Sequence, residues 1–307
     1  MYIGIDIGGT KCAVLKSDAN LNIIRREEFA TADVSSTVAW IIARVEEMMP
    51  ATAIGISCGG PLDEEKGIIL SPPNLPGWDE VHIVDILECY FSIPVKLRND
   101  ANACALAEYK FGAGVGYKNV VFMTFGTGLG AGLILDGKLY SGTNGNAGEV
   151  GHIRLAPDGP VGYGKRGSFE GFCSGGGIVR LARIYAEELE SVGRSASYSE
   201  LIKNDRLSTK TLAEMAKSGD VDALAVFKKS AEKLGAGLSI IIDLINPDAI
   251  VIGSVYSRCR ELFDEEMYRV IKAEALEFSA GVCKVLPASL GEKIGDIAAI
   301  SVAMEER

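Results

Sequence analysis

Two stretches of the chain carry the same pattern, and a chain that contains it twice has few folds open to it. Residues 3–14 read IGIDIGGTKCAV, and residues 121–135 read VFMTFGTGLGAGLIL. Each is an apolar run, a glycine turn with Thr, and a second apolar run, which reads as strand, tight turn, strand. The glycines allow positive φ and let the backbone come close to a bound group. Thr10 and Thr127 add hydroxyls beside exposed backbone N–H groups, a combination suited to phosphate oxygens. One copy alone is also what a plain structural hairpin looks like. Two copies, each followed by a similar layout, predict a duplicated domain with a nucleotide between the halves.

The rest of the chain fits that plan. Strands are predicted over 2–7, 11–16 and 23–30, a helix over 34–49, and a buried strand over 53–58 that runs into a Gly59-Gly60-Pro61 turn. Residues 71–78 hold three prolines and form a shaped loop. A helix over 81–91, a strand over 95–97 and a helix over 101–111 follow. The glycine-rich stretch 112–118 marks a domain boundary, and 119–135 repeats the hairpin. Further helices are predicted over 176–191, 221–245 and 259–276, and strands over 249–253 and 282–287. Residues 157–167 read as irregular. A terminal helix over 296–304 can cross back to the first domain. The fold class is α/β with mixed sheets and helices on both faces.

Charge and cysteine usage narrow the function classes. A net charge of −10 with no basic cluster argues against a nucleic-acid surface. It leaves room for ATP, because backbone N–H groups and magnesium bind phosphates within an acidic protein. The seven scattered cysteines include no C-x-x-C pair and read as reduced thiols of a cytoplasmic protein. No signal peptide is visible. The most apolar long stretch, 234–254, is broken by Asp243, Asn246, Pro247 and Asp248, so no membrane span is predicted.

Candidate chemistry gathers at the strand ends. Asp6 precedes Gly8-Gly9-Thr10-Lys11; it either binds Mg²⁺ through water or caps the turn through its own N–H groups. Asn99-Asp100 stands at a strand's carboxyl end, where ligands bind in α/β sheets. Asp100 reads as a helix N-cap or as a general base accepting a hydroxyl proton, with Asn99 fixing a neighbouring hydroxyl. Glu149 and His152 follow a flexible glycine run and can hold a metal or a polyol. Glu170 lies in a third glycine cluster, whose residues 175–177 can meet a nucleotide at a helix N-terminus. Gly253 ends a strand, where a flat base can lie against the backbone or the chain can simply turn.

These motifs together resemble the ROK family of bacterial sugar kinases and related repressors. The resemblance covers nearly the whole chain. It rests on IGIDIGGTK at 3–11, GPLD at 60–63, PPNLPGW at 72–78, RNDANACALAE at 98–108, FGTGLGAGLILDGKLYSG at 125–142, NAGEVGHI at 146–153 and the Glu170 cluster. It implies an actin/hexokinase-like (ribonuclease H-like) duplicated fold of two domains, 1–117 and 118–295, with the helix over 296–307 packing back on the first. It also implies transfer of the ATP γ-phosphate to a hexose hydroxyl, Mg²⁺ as cofactor, and a homodimer or homotetramer. Asp100 then corresponds to the catalytic base. Gly60, Asn74, Asn99, Glu149, His152 and Glu170 fall where the family holds sugar. Asp6, Gly8, Gly9, Thr10 and Lys11 fall on its first phosphate loop, Thr127 and Gly128 on its second, and Gly253 on the adenosine side.

One departure matters. The family often carries a zinc site, C-G-C-G-x-x-G-C, ahead of the sugar-binding Glu. Here residues 161–168 read VGYGKRGS, with all three cysteine positions changed and only His152 kept. A structural zinc wants four ligands, so no zinc is predicted, and Tyr163 and Phe169 are expected to fill the space by apolar packing. Glucose is the default substrate, with N-acetylmannosamine, N-acetylglucosamine or fructose as alternatives. A DNA-binding repressor is disfavoured by the acidic charge and by a first strand that begins at residue 2. A non-catalytic sugar sensor is disfavoured by Asp100 and both phosphate turns.

Overall fold

A computed structural model describes residues 1–305; the last two residues of the predicted 296–307 segment lie outside them. The first sheet has the order β3-β2-β1-β4-β5, built from β1 (Tyr2–Ile7), β2 (Lys11–Ser17), β3 (Ile23–Ala30), β4 (Ala53–Cys58) and β5 (Val95–Asn99). β1, β2 and β3 run antiparallel, while β4 and β5 lie parallel to β1. The second sheet has the order β8-β7-β6-β9-β10, from β6 (Val120–Met123), β7 (Ala131–Leu135), β8 (Lys138–Tyr140), β9 (Ala249–Ile252) and β10 (Lys284–Pro287). It repeats the order of the first: an antiparallel outer part, then two strands parallel to the first of the repeat. The duplication read from the glycine turns is therefore present as topology.

The described residues form two compact units: 1–116 with 132–147 and 289–305, and 117–131 with 148–288. In the first unit, Ile3, Ile5, Ile54 and Ile56 are fully buried, as strands covered on both faces require. Helices α1 (Val34–Met48), α2 (Ile83–Phe91), α3 (Asp100–Phe111) and α6 (Ile294–Ala303) belong to this unit. Helix α6 packs directly on β1 and β4 because the contact positions are small. A Cβ on Gly4 would come within 3.0 Å of the Ala299 Cβ, and one on Gly55 would overlap the backbone of Ala303. Exposed Asp33 caps α1 through a 3.0 Å bond from the Ser36 N–H.

The second unit holds α4 (Gly175–Ser191) and α5 (Val221–Ile245). The predicted helix over 259–276 is instead broken. Val255–Cys259 and Asp264–Glu274 are helical, with a 3₁₀ turn at Arg260–Leu262 between them. The break places Phe263 against Phe125 and Phe227, each at 5.5 Å between ring centroids. The Tyr256 hydroxyl donates to Asp264 Oδ1 across it at 2.7 Å. The strand predicted over 282–287 begins only at Lys284, because Glu277–Val282 is a short helix. Helices Ser199–Lys203 and Thr209–Lys217 occupy a stretch to which the sequence reading assigned no element; the second is closed by a Ser208/Thr211 capping box. Among the described residues no helix is long and apolar enough to cross a membrane.

Candidate active site

The first unit assembles its candidate residues at the carboxyl ends of β1, β4 and β5. The turn after β1 is closed by the Gly8 N–H donating to the Lys11 carbonyl at 3.0 Å, and the Thr31 hydroxyl donates to the Gly8 carbonyl at 2.6 Å. A side chain on Gly9 would overlap the backbone of Asn74. Glycine at that position thus lets the first glycine turn and the proline-rich loop touch, two segments that the sequence left unconnected. Likewise a Cβ on Gly60 would meet Asn99 Nδ2 at 3.2 Å, which brings the turn after β4 to Asn99. Lys11 extends to the surface and pairs with Glu28 at 3.0 Å.

Asn99, not Asp100, is the N-cap of α3. Its Oδ1 accepts from the Ala101 N–H at 3.0 Å, and Asp100, the first helical residue, accepts from the same N–H at 2.7 Å. Cap and carboxylate are therefore successive residues. Asp100 reaches solvent, so an incoming hydroxyl can approach it. The protein around it nonetheless penalises its charged form and raises its pKa, with the Ala101 N–H opposing the shift. The two facts are compatible: a recessed carboxylate can touch water and still be poorly hydrated.

Asp6 is half-buried at the end of β1. Burial raises its pKa to about 6, helped by the carboxylates of Asp296 and Asp100; Arg26 and Lys11 oppose the shift. Asp296 is itself held by Arg26 at 2.8 Å. Among the described residues no hydrogen bond reaches the Asp6 carboxylate, so the reading of Asp6 as a cap of its own turn finds no support.

The second unit builds its group around the second glycine turn. Glu170 Oε2 accepts from the Leu129 N–H at 3.1 Å, and a Cβ on Gly128 would meet the same oxygen at 2.9 Å. Gly126 accepts at its carbonyl from the Gly175 N–H at 2.7 Å, which ties the turn to the start of α4. Glu170 sits on the short helix Phe169–Phe172, capped by buried Ser168. The Phe169 N–H donates to the Ile153 carbonyl at 2.8 Å, so the Glu170 helix and the Val150–His152 turn are joined. Glu149 and His152 are both exposed, and so is Thr127. Gly253 stands at the end of β9, its N–H donating to the Met123 carbonyl at 2.9 Å.

The stretch 161–168 corrects one expectation. Residues 157–167 are not irregular throughout: Val161–Gly162 and Lys165–Arg166 pair as a two-stranded ribbon. Tyr163 and Gly164 form its two-residue turn with φ of +43° and +74°, the primed geometry that suits hairpins. Tyr163 is therefore carried outward, 69% exposed, and its ring meets His152 edge to face at 5.5 Å. Phe169 alone is fully buried. The Lys165 ammonium donates to the His152 carbonyl at 2.7 Å. Sequence reasoning missed Glu64 and Glu108, acidic side chains buried within the first unit. Nothing in the spacing of either residue signals its burial, because most of the groups that satisfy them lie far away in sequence: Asn99, Asn102, Ser141 and Arg98 for Glu64, Ser289 and Leu290 for Glu108.

Known proteins resemble the chain along nearly its whole length. The model of the ROK family matches residues 2–306. A glucokinase from Streptomyces coelicolor is 32% identical, covering 99% of this chain and 98% of its own length. The crystal structure of a ROK family glucokinase from Streptomyces griseus, in complex with glucose and AMPPNP, is 33% identical, with a TM-score of 0.78 over 99% of both chains. A xylose repressor from Caldicellulosiruptor bescii is 30% identical over 88% of this chain and 69% of its own length. The fold is the actin/hexokinase-like one of ROK kinases, and the chain belongs to the ROK family, similar to its glucokinases and without the cysteines of the family's zinc motif.

Proposed function

We propose that the protein is an ATP-dependent hexose kinase, with glucose phosphorylated at its 6-hydroxyl. The observation that carries this reading is Asp100: a solvent-accessible carboxylate with a raised pKa, next to Asn99 and in the same unit as the Gly8–Lys11 turn. Such a group can accept the proton of a primary hydroxyl as it attacks, while Asn99 and Asn74 bind neighbouring hydroxyls beside Gly60. Glu149, His152 and Glu170 hold the remaining sugar hydroxyls. Directional polar contacts of this kind reject an epimer, because a missing partner leaves a polar group unpaired. The likeness to glucokinases at 31–33% identity supports glucose over N-acetylmannosamine, N-acetylglucosamine or fructose.

The residues present fit Mg-ATP. The backbones of Gly8–Lys11 and of Thr127–Gly128 offer N–H groups to phosphate oxygens, and Gly253 leaves room on the adenosine side. Asp6 is a half-buried carboxylate near other carboxylates, with no hydrogen bond among the described residues, which suits a hydrated cation. Magnesium there supplies positive charge against the phosphoryl group in transfer.

The test is a coupled ADP-release assay with Mg-ATP against hexoses and N-acetylhexosamines, with a no-sugar control. A kcat/KM of about 10⁴ M⁻¹s⁻¹ or above for glucose is expected. The xylose repressor relative favours a second reading, sugar binding without catalysis. Sugar binding by calorimetry with no turnover on the panel selects that reading, and ATP turnover without sugar selects an ATPase.

A further inference from the structure

Glu64 follows the two-residue strand Leu62–Asp63, and its side chain is only 5% exposed. Burying a carboxylate is costly unless its oxygens are satisfied. Here they are, and by partners that bracket Asp100. Oε1 accepts from the backbone N–H of Asn99 at 2.7 Å and from Asn102 Nδ2 at 2.9 Å. Oε2 accepts from the Ser141 hydroxyl at 3.1 Å and faces Arg98 Nη1 at 3.3 Å. Arg98 turns its other nitrogens to Glu305, with Nε–Oε2 at 2.9 Å and Nη2–Oε1 at 2.8 Å. All of these residues belong to the first unit.

The consequence falls on the elbow between β5 and α3. Asp100 is the first residue of α3, one step from the strand end, where the backbone changes from extended to helical. Its direction is set by the residues on either side. Asn99 before it is held at its N–H by Glu64. Asn102 after it is buried; its Oδ1 has no hydrogen-bond partner among the described residues, and its Nδ2 is held by the same carboxylate. One oxygen, Glu64 Oε1, thus holds both flanks of the Asp100-Ala101 pair. Arg98, shared with Glu305, offsets part of the negative charge that Glu64 buries.

We propose that Glu64 is a positioning residue for Asp100: it aims the carboxylate by fixing the backbone of Asn99 and the side chain of Asn102. It touches no substrate and moves no proton. This rests on the kinase reading above.

The experiment is a double-mutant cycle in the full chain. Glu64→Ala is expected to lower kcat about 10–100-fold, with the calorimetric sugar affinity changed less than about threefold, the size of effect a misplaced catalytic group produces. Glu64→Gln keeps an acceptor for both Asn99 and Asn102 and is expected to recover most of kcat. In an Asp100→Asn background, Glu64→Ala is expected to cost little further, because the clamp acts through Asp100. Equal losses in both backgrounds, or a loss confined to sugar affinity, overturn the proposal. Should Glu64→Ala fail to fold, Glu64→Asp withdraws the oxygens by one methylene and takes its place in the cycle. Amide hydrogen exchange separates this proposal from the kinase reading. If the wild-type chain phosphorylates no sugar, the kinase reading falls, yet the Asn99 amide must still exchange at least about tenfold faster in the Glu64 variant. Unchanged exchange there overturns the clamp itself.

Discussion

The two glycine turns arise from one pattern and have diverged in what stands behind them. Two residues ahead of the first glycine, the first copy has Asp6 and the second has Thr124. Thr124 closes its own turn: its Oγ1 accepts from the Gly130 N–H at 2.9 Å. Asp6 closes nothing and sits half-buried among carboxylates with a pKa raised to about 6. The backing differs too. Gly9 rests on the rigid backbone of Asn74, whereas Gly128 rests on the tip of the Glu170 side chain. A duplicated element can thus be complete in one copy and electrostatically incomplete in the other, and the incomplete copy is the one where a cation is proposed to bind.

If the division holds, perturbing the two regions must change different observables. The largest effect is expected at Asp100. Asp100→Asn should fold normally and keep sugar affinity while kcat falls about 10²–10⁴-fold, the size of a general-base contribution. Steady-state kinetics with calorimetry checks this, and near-wild-type turnover removes Asp100 from that role. In the second unit, Glu170→Ala removes the acceptor of the Leu129 N–H. The same change removes the contact to a sugar hydroxyl proposed for Glu170; a hydrogen bond to a charged group is worth about 1.5–3 kcal/mol, so the sugar KM should rise about 10–100-fold. A loss in kcat of the same size, with KM unchanged, breaks the division of labour.

The glycine backing sharpens the comparison. Gly9→Ala must displace the backbone of Asn74 and should destabilise the protein by about 1–3 kcal/mol, as overpacking does. Gly128→Ala has only a side-chain tip to move and should cost less than about 1 kcal/mol in urea unfolding. Equal costs would mean that the Asn74 loop yields as readily as Glu170 does.

The effect expected at Asp6 depends on pH. Its folded pKa lies above its unfolded value of 3.8, so the ionised form costs stability above about pH 6, and the cost disappears below about pH 4. Asp6→Asn should therefore stabilise the protein at pH 7, by about 1–2 kcal/mol after solvent relaxation, with the gain fading as pH falls through that window. Thermal melts against pH check the sign. Added Mg²⁺ should raise the melting temperature of the wild type more than that of the variant; an equal rise removes Asp6 from the cation site.

Much of this molecule was legible because its signals are local. Glycine turns, proline loops and buried apolar runs report the backbone's immediate options, and so β1, β3 and β4 and the helix Val221–Ile245 lie where the pattern puts them. The break at Arg260–Leu262 was not legible, since both flanking segments are helical and the interruption follows from burying Phe263 against rings distant in sequence. Tyr163 was misjudged for a related reason: an aromatic residue in a former ligand position suggests packing, but a primed turn points it outward.

The sequence alone determined the duplication, the α/β class with mixed sheets, and the family. These depend on residue type and spacing, which a chain carries whether folded or not. Only the tertiary structure decided that Asn99 rather than Asp100 caps α3, that Gly9 meets Asn74, and that burial, helped by Asp296 and Asp100, makes Asp6 hold its proton more tightly. It alone decided that Glu64 grips the flanks of Asp100. Each of these depends on distance between groups far apart in sequence and on how much water remains around a charge. Neither quantity exists until the chain has closed on itself.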